Sequence, residues 1–451
     1  MEPDRKEKFL TTELVSRIIQ ANDTLQGYRL APDGGCTLTT PKGLDGFMST
    51  IHRLKLNLTH STTGDRKSLT LMVKVMKGDD AFRQKSLGLV LFPNEINVYS
   101  HVIPVFKRLV QDSGSALIDE LQTLCPRVYL AESDVRYPAY SDQVETFLVM
   151  EDVSGDGFVP GPRLNLDQLH LELMARKIAQ FHACSYALRL GGHSDRLRQL
   201  VDRIIPLNFM QDGKIFFESY DVVFRVVFER LFRYLSEHSH LLETDYVRTR
   251  VEALRDRYGS VPSELMQRFL ARDDTYSVIL HGDYNRNNVL FRYENGLPQD
   301  VMLIDFQENR FGSPGLDLSF FMYMNMPPEA WANGGWDQLL AVYHRELLRG
   351  ICEIVRLKPD DPRLKPYRWD AMKLHLQSHF LYGAIIAIKF LPCMLASEPE
   401  VEQIVHYFHN NILADEFRQI YQVAGGETVD DRISKVIIHA AQQGYLDMVL
   451  S

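Results

Sequence analysis

The chain has 451 residues, enough for two or three packed units. Its apolar fraction of 45% and charged fraction of 24% are those of an ordinary soluble globular protein, and its net charge of −9 argues against a general nucleic-acid binder. The five cysteines (Cys36, Cys125, Cys184, Cys352, Cys393) are odd in number and widely spaced without a C-x-x-C pair, so neither a zinc site nor a disulfide framework is expected. The charged start, MEPDRKEKF, is unlike a signal peptide. The most apolar late segment, Gly383–Leu395, is too short to span a bilayer and contains Lys389 and Pro392. The expectation is a cytoplasmic, reduced protein without a membrane partner.

Leu10 to Ala21 reads as an amphipathic helix, with Leu10, Leu14, Ile18 and Ile19 along one stripe. Gly34-Gly35 breaks the chain. The segment Pro41–Ser49, with Gly43, Gly46 and Ser49, leads into a strand Ile51–Leu58, and Leu69–Met76 returns after a turn at Thr62–Asp65. A glycine-containing loop between strands can lie over phosphates; a surface hairpin reads the same. Leu69, Leu71, Val73 and Val75 share one face of the returning strand, so Lys74 points the other way, where a lysine is usually solvated. Between Ala81 and Gln111 Glu95 is the one acidic residue. It follows Pro93, a good first-turn residue, on a helix carrying Ile96, Tyr99 and Ile103.

Arg127–Glu132 and Thr146–Met150 read as two further strands. Glu151-Asp152-Val153 then runs into a Gly/Pro-rich stretch, Ser154–Pro162, the best boundary in the chain. It divides an N-terminal unit, 1–152, from a C-terminal unit, 153–451. Helices are expected over Leu166–Leu188, Tyr220–Tyr234 and Leu265–Ala271, with His182 more typical of a packed core residue than a catalyst.

The stretch Ser277–Phe321 is the most informative. A short apolar strand, Ser277–Leu280, delivers the polar loop His281-Gly282-Asp283-Tyr284-Asn285-Arg286-Asn287-Asn288. Apolar runs at Val289–Phe291 and Val301–Ile304 flank Asn295-Gly296, a strong hairpin signal. Such a hairpin brings Asn288 and Asp305 to its open end, with Asp283 a few residues upstream. That is a set of oxygen ligands for a hard cation such as Mg²⁺, plus one spare carboxylate. Phosphoryl transfer from a nucleotide needs this: metal between phosphates, and a carboxylate for the proton of the attacking hydroxyl. Asp317 reads as a third ligand or, better, as an acid near a helix start that bonds backbone amides of the loops. Beyond it the chain is almost wholly helical, over Asp337–Leu357, Asp370–Leu391, Val401–Val423 and Asp430–Leu450. Strands early and helices late give an α+β bilobal pattern.

These residues resemble the branch of the protein-kinase-like superfamily that phosphorylates small molecules: choline kinases, aminoglycoside phosphotransferases and, most closely, the insect ecdysteroid-kinase-like (CHK-kinase-like) proteins. The matching pieces are Lys74 in LMVKVM, Phe92-Pro93-Asn94-Glu95, Phe181-His182-Ala183, HGDYNRNNVLF and IDFQENRFGSPGLDLSFF. The resemblance implies a small β-rich N-lobe, a large helical C-lobe, and transfer of the γ-phosphoryl group of ATP to an alcohol with Mg²⁺ as cofactor. It implies Asp283 as base, Asn288 and Asp305 as metal ligands, and Lys74 held by Glu95 on the α/β-phosphates. It also implies Gly43, Gly46 and Ser49 near the phosphates, and the backbone of Met150, Glu151 and Val153 around the adenine. Asn285 stands where the family often has Trp. Gly282 replaces the Arg and Gln307 the Gly of protein kinases, and no A-P-E segment follows, which points to a small acceptor. That acceptor would be an ecdysteroid or another hydroxylated compound, with Phe216, Phe217, Tyr220, Trp331, Trp336 and Phe390 as pocket candidates. A choline- or ethanolamine-type acceptor, caged by Trp331 and Trp336, and a kinase-fold scaffold without catalysis are the alternatives. The sequence leaves the oligomeric state open.

Overall fold

A computed structural model describes residues 2–32, 34–41, 49–163 and 165–447. Its N-terminal part is an antiparallel sheet of six strands: β1 (Tyr28–Leu30), β2 (Cys36–Thr39), β3 (Ser49–His60), β4 (Arg66–Met76), β5 (Val128–Arg136) and β6 (Val144–Glu151). The order is β1-β3-β4-β6-β5, with β2 also on β3. Alternation builds the core beneath it: Leu54, Leu56 and Leu58 from β3, Leu71, Val73 and Val75 from β4, and Phe147 and Val149 from β6 are all buried. Phe9, Leu10, Leu14, Val15 and Ile18 close that core from the N-terminal helices. The helix expected over Leu10–Ala21 is two, Glu2–Thr11 and Glu13–Gln20, broken at Thr12.

The opposite face of the sheet carries Lys74, and it is not solvated there. The helix Gly88–Asn97 covers it, and Lys74 is 5% exposed. Pro93 lies inside this helix and does not open it. The chain then widens into a π turn, Val98–Val102, and continues as Ile103–Ser113.

Val98, Tyr99, Val102, Ile103 and Phe106 of this stretch already belong to a second, larger core, which also takes most of the buried apolar residues after Leu166. Its axis is the helix Gln168–Leu190, in which sixteen residues are buried. From Lys177 to Leu188 it is covered on every side, while Gln168, Glu172 and Arg176 form a short polar stripe at the surface of its first turns. The boundary stretch contributes a strand, β7 (Phe158–Pro160), followed in the chain by a small hairpin of β8 (Met210–Gln211) and β9 (Lys214–Ile215). Strand β10 is Val278–Leu280; β11 (Val289–Glu294) and β12 (Leu297–Leu303) form the expected hairpin. Asn295 and Gly296 both take positive φ, 51° and 78°, as its tight turn demands. β7 pairs with β11, and β10 pairs with β13 (Arg310–Gly312).

Two long helices expected near the C-terminus are each divided. Trp369–Gln377 and Phe380–Leu395 meet at 44°, and Glu398–Asn410 is separate from Asp415–Tyr421. Neither break carries Gly or Pro, so the pattern holds no punctuation there. Among the described residues no single helix is long and apolar enough to cross a membrane.

The helix Phe380–Leu395 packs tightly on Gly315–Asn325, whose residues are all buried. Gly383 makes this possible: a Cβ there would lie 2.1 Å from the backbone nitrogen of Phe320 and 2.2 Å from the carbonyl carbon of Ser319. Backbone atoms cannot rotate aside, so Gly383→Ala should destabilise by about 1–3 kcal/mol or more, read as a lower thermal or urea midpoint. Wild-type stability in that variant would contradict the crossing.

Candidate active site

The site begins with Lys74, two residues before the end of β4. Its Nζ donates to Glu95 Oε2 at 2.7 Å and to Asp305 Oδ1 at 3.1 Å. Glu95 is fully buried and Asp305 about a quarter exposed at its side chain. Burial opposes the charge on Lys74, but the Asp305 and Glu95 carboxylates outweigh it and hold the ammonium protonated well above its ordinary range. Burial pushes the Glu95 carboxyl up while the ammonium pulls it down. We take the pair as ionic, because the ammonium at 2.7 Å needs the carboxylate as much as the reverse. The Lys74–Glu95 pairing expected from sequence is thus present, and the ammonium also reaches Asp305, a contact the sequence reading did not include.

Asp305 lies two residues beyond the end of β12 and holds a left-handed φ of 63°. Such a conformation in a non-glycine residue is strained and marks a position fixed by its surroundings. The next residue, Phe306, is fully buried, with its ring 4.7 Å from that of His281 and 5.4 Å from that of Tyr99. Asn309 then latches the loop to the Glu95 helix: its Nδ2 donates to Asn94 O at 2.9 Å and to Phe306 O at 2.8 Å.

Asp283 sits on the loop after β10. Asn288 Nδ2 donates to its Oδ2 at 2.7 Å and Asn285 Nδ2 to its Oδ1 at 2.9 Å. The amide nitrogen of Asn288 is therefore committed to Asp283, and Oδ1 is the atom left to meet a cation. Asn285, the residue in place of Trp, braces the carboxylate. Burial pushes the Asp283 carboxyl up to about 7, aided by the negative charges of Glu308 and Asp305 and opposed by the Asn288 bond and Lys389. Gly282 is required by close approach: φ is 89°, and a Cβ would fall 1.8 Å from Glu308 O. No larger residue fits while the loop after Asp305 lies against it.

Asp317 fixes this loop from below. Its Oδ2 accepts from His281 N at 2.8 Å and its Oδ1 from Gly282 N at 2.8 Å. His182 Nε2 lies 3.1 Å from Oδ2, and His182 Nδ1 is 2.9 Å from Tyr343 Oη. Burial raises the Asp317 carboxyl, yet the His182 bond and these amides hold it below its ordinary value. Asp317 is thus an organiser of backbone amides, and His182 is its support. Burial lowers His281, whose ring meets Ile304 O at 3.0 Å and ties the loop to the end of β12.

The remaining expected residues fall as follows. Ser49 is buried at the start of β3. Gly43 and Gly46 lie outside the described residues. Met150 and Glu151 end β6, where the N–H groups of Glu151 and Asp152 are taken by Arg127 O and Thr70 O, and Val153 is buried. Trp331 and Trp336 are core, packed around Tyr323 and His439. Phe217 packs with Leu91 and Leu207, while Phe216 is 42% exposed. Tyr220 and Phe390 stand beside Lys389, and Tyr220 Oη donates to Glu308 Oε1 at 2.6 Å. Glu308 and Lys389 were not singled out as site residues from the sequence. The available signal was a lone cation inside the apolar run Gly383–Leu395.

No curated protein gives a significant sequence match to this chain. Several solved structures are similar in fold at low identity. The GDP and kanamycin complex of APH(2")-IIia aligns over 93% of this chain and 98% of that one, at 11% identity and a TM-score of 0.38. The GDP complex of a mutant aminoglycoside 2'-phosphotransferase-IIIa covers 94% and 97%, at 11% identity and 0.40. An aminoglycoside phosphotransferase from Streptomyces rimosus covers 82% and 99%, at 14% identity and 0.27. With TM-scores this low, the assignment rests on a different match. The profile of the ecdysteroid kinase-like family aligns to residues 43–355, well over half of the chain and inclusive of Lys74, Glu95, Asp283, Asn288 and Asp305. The chain belongs to the ecdysteroid kinase-like family.

Proposed function

We propose that the chain is an ATP-dependent small-molecule kinase that transfers the γ-phosphoryl group to an alcohol. The observation that carries this reading is the convergence of Lys74, Glu95 and Asp305 in one ionic chain beside the Asp283–Asn288 pair. Residues 1–152 would hold the nucleotide and residues 153–451 the acceptor. Lys74, oriented by Glu95, binds the α/β-phosphates; the backbone around Met150–Val153 meets the adenine. Asp283 accepts the proton of the acceptor hydroxyl at its carboxylate, and Asn285 and Asn288 hold that carboxylate in place. The donor set fits Mg²⁺: a carboxylate on Asp305 and an amide oxygen on Asn288 are hard ligands, few enough to leave room for phosphate oxygens. The ion would supply charge neutralisation between the phosphates. The acceptor is a hydroxylated compound, of which ecdysteroids are the class the family name suggests.

Asp283→Asn should lower turnover by about 10²–10⁴-fold while Mg-ATP affinity stays near wild type; unchanged turnover sinks the assignment of the base. Asp305→Asn should weaken Mg-ATP binding as well, measurable by titration calorimetry. Because the carboxyl of Asp283 is raised, its basic form is lost as pH falls through about 7. Acceptor kcat/KM should therefore drop on the acid side with that midpoint, and a profile flat through neutrality contradicts it. Lys74→Met and Glu95→Gln act on one buried pair, so the double variant should lose little more than either single one. Additive losses would mean that Glu95 does not act through Lys74.

A further inference from the structure

The helix Phe380–Leu395 brings Lys389 to the side of the catalytic loop. Asn287 Nδ2 on that loop lies 3.6 Å from Met394 Sδ on the same helix. Lys389 is 6% exposed. Its Nζ rests 3.6 Å from the centre of the Tyr220 ring, 4.6 Å from that of Phe390 and 5.4 Å from that of Phe224. Among the described residues no carboxylate lies within 4.0 Å of it. Glu308 is near but committed: Oε1 accepts from Tyr220 Oη at 2.6 Å and Oε2 from Arg310 Nη2 at 3.2 Å. Burial draws the Lys389 ammonium down to about 8, while Glu308 and Asp283 act the other way and Arg310 with burial. The charge of Lys389 is thus felt at the candidate base itself.

A buried ammonium has three donors and cannot leave them unmet without cost. Here it lies against the rings of Tyr220 and Phe390, on the helix that touches the catalytic loop at Asn287. The same arrangement disfavours a cation. The Tyr220 face that could hold a quaternary ammonium by cation–π attraction is already occupied by Lys389. A second cation there would also face Lys389 and Arg310 in a low-dielectric pocket.

On the reading that Asp283 serves an alcohol acceptor, we propose that Lys389 is the acceptor-recognition residue. It donates to a neutral or anionic oxygen next to the hydroxyl that reacts, and it excludes cationic acceptors. Tyr220 and Glu308 position it, Tyr220 through its ring and Glu308 through the Tyr220 hydroxyl.

The test is mass-spectrometric initial rates for the full chain with Mg-ATP. The panel holds an ecdysteroid and a phenolic glucoside as neutral acceptors, a glucuronide as an anionic one, and choline and kanamycin as cations. The neutral or anionic class should exceed the cations in kcat/KM by about tenfold or more. Lys389→Met, close in shape, should raise the acceptor KM by about tenfold with the Mg-ATP KM within about twofold, and Lys389→Arg should restore part of the loss. Preference for choline or kanamycin, or an acceptor KM unmoved in Lys389→Met, overturns the proposal. So does transfer to none of the panel when ATP is still split and Asp283→Asn abolishes the splitting, a result that leaves the kinase reading standing. Neither transfer nor splitting removes both.

Discussion

The structure depends on one buried cation. Lys74 lies near the end of a sheet strand, yet it cannot be solvated, because the Glu95 helix and the loop at Asp305 close over it. Its two partners are 21 and 231 residues away in sequence. The ammonium therefore fixes the distance between the sheet, the helix above it and the larger helical core. Breaking such a pair by removing one partner leaves a charge without compensation, at a cost of about 3–5 kcal/mol. The same geometry leaves part of the Asp305 carboxylate open, which gives the site a use for the cost of burying charge.

A second constraint acts from the opposite side. Asp317, fully enclosed, gathers the amides of His281 and Gly282 and is itself held by His182. This sets the direction in which Asp283 leaves the loop. Gly282 allows the loop after Asp305 to pass within a distance that no side chain tolerates. The two loops are thereby locked together without an activation segment between them. Asn94 and Asn309 extend the lock to the Glu95 helix. The contacts of Asp317, Gly282 and Asn309 hold the two loops in one arrangement within the fold itself.

Much of this was legible in the sequence where chemistry and period agreed. The Asn295-Gly296 hairpin and the choice of Glu95, the one acidic residue between Ala81 and Gln111, as the partner of Lys74 both match the structure; the alternation placed Lys74 on the right face but left it solvated there, where the structure buries it. Less was legible where the signal was silent or shared. Pro93 reads as a helix start, but the helix already runs from Gly88. The breaks after Gln377 and Asn410 carry no glycine or proline. Trp331 and Trp336 looked like a pocket because aromatic residues fill cores and cages alike; here they are core. Lys389, noticed only as a charge in an apolar run, and Glu308 were not read as site residues because their meaning lies in what surrounds them, and Tyr220 reaches them from a distant helix.

The central claim, that this site moves a phosphoryl group from ATP to an alcohol, is tested most directly by isotope transfer. ATP carrying a heavy-oxygen label on its γ-phosphate would be incubated with the protein, Mg²⁺ and hydroxylated acceptors, and the products weighed. The account predicts a single labelled phosphoryl group on an acceptor oxygen, dependent on Mg²⁺ and on Asp283. Label that stays in ATP while the nucleotide binds normally would contradict it and make the chain a nucleotide-binding scaffold.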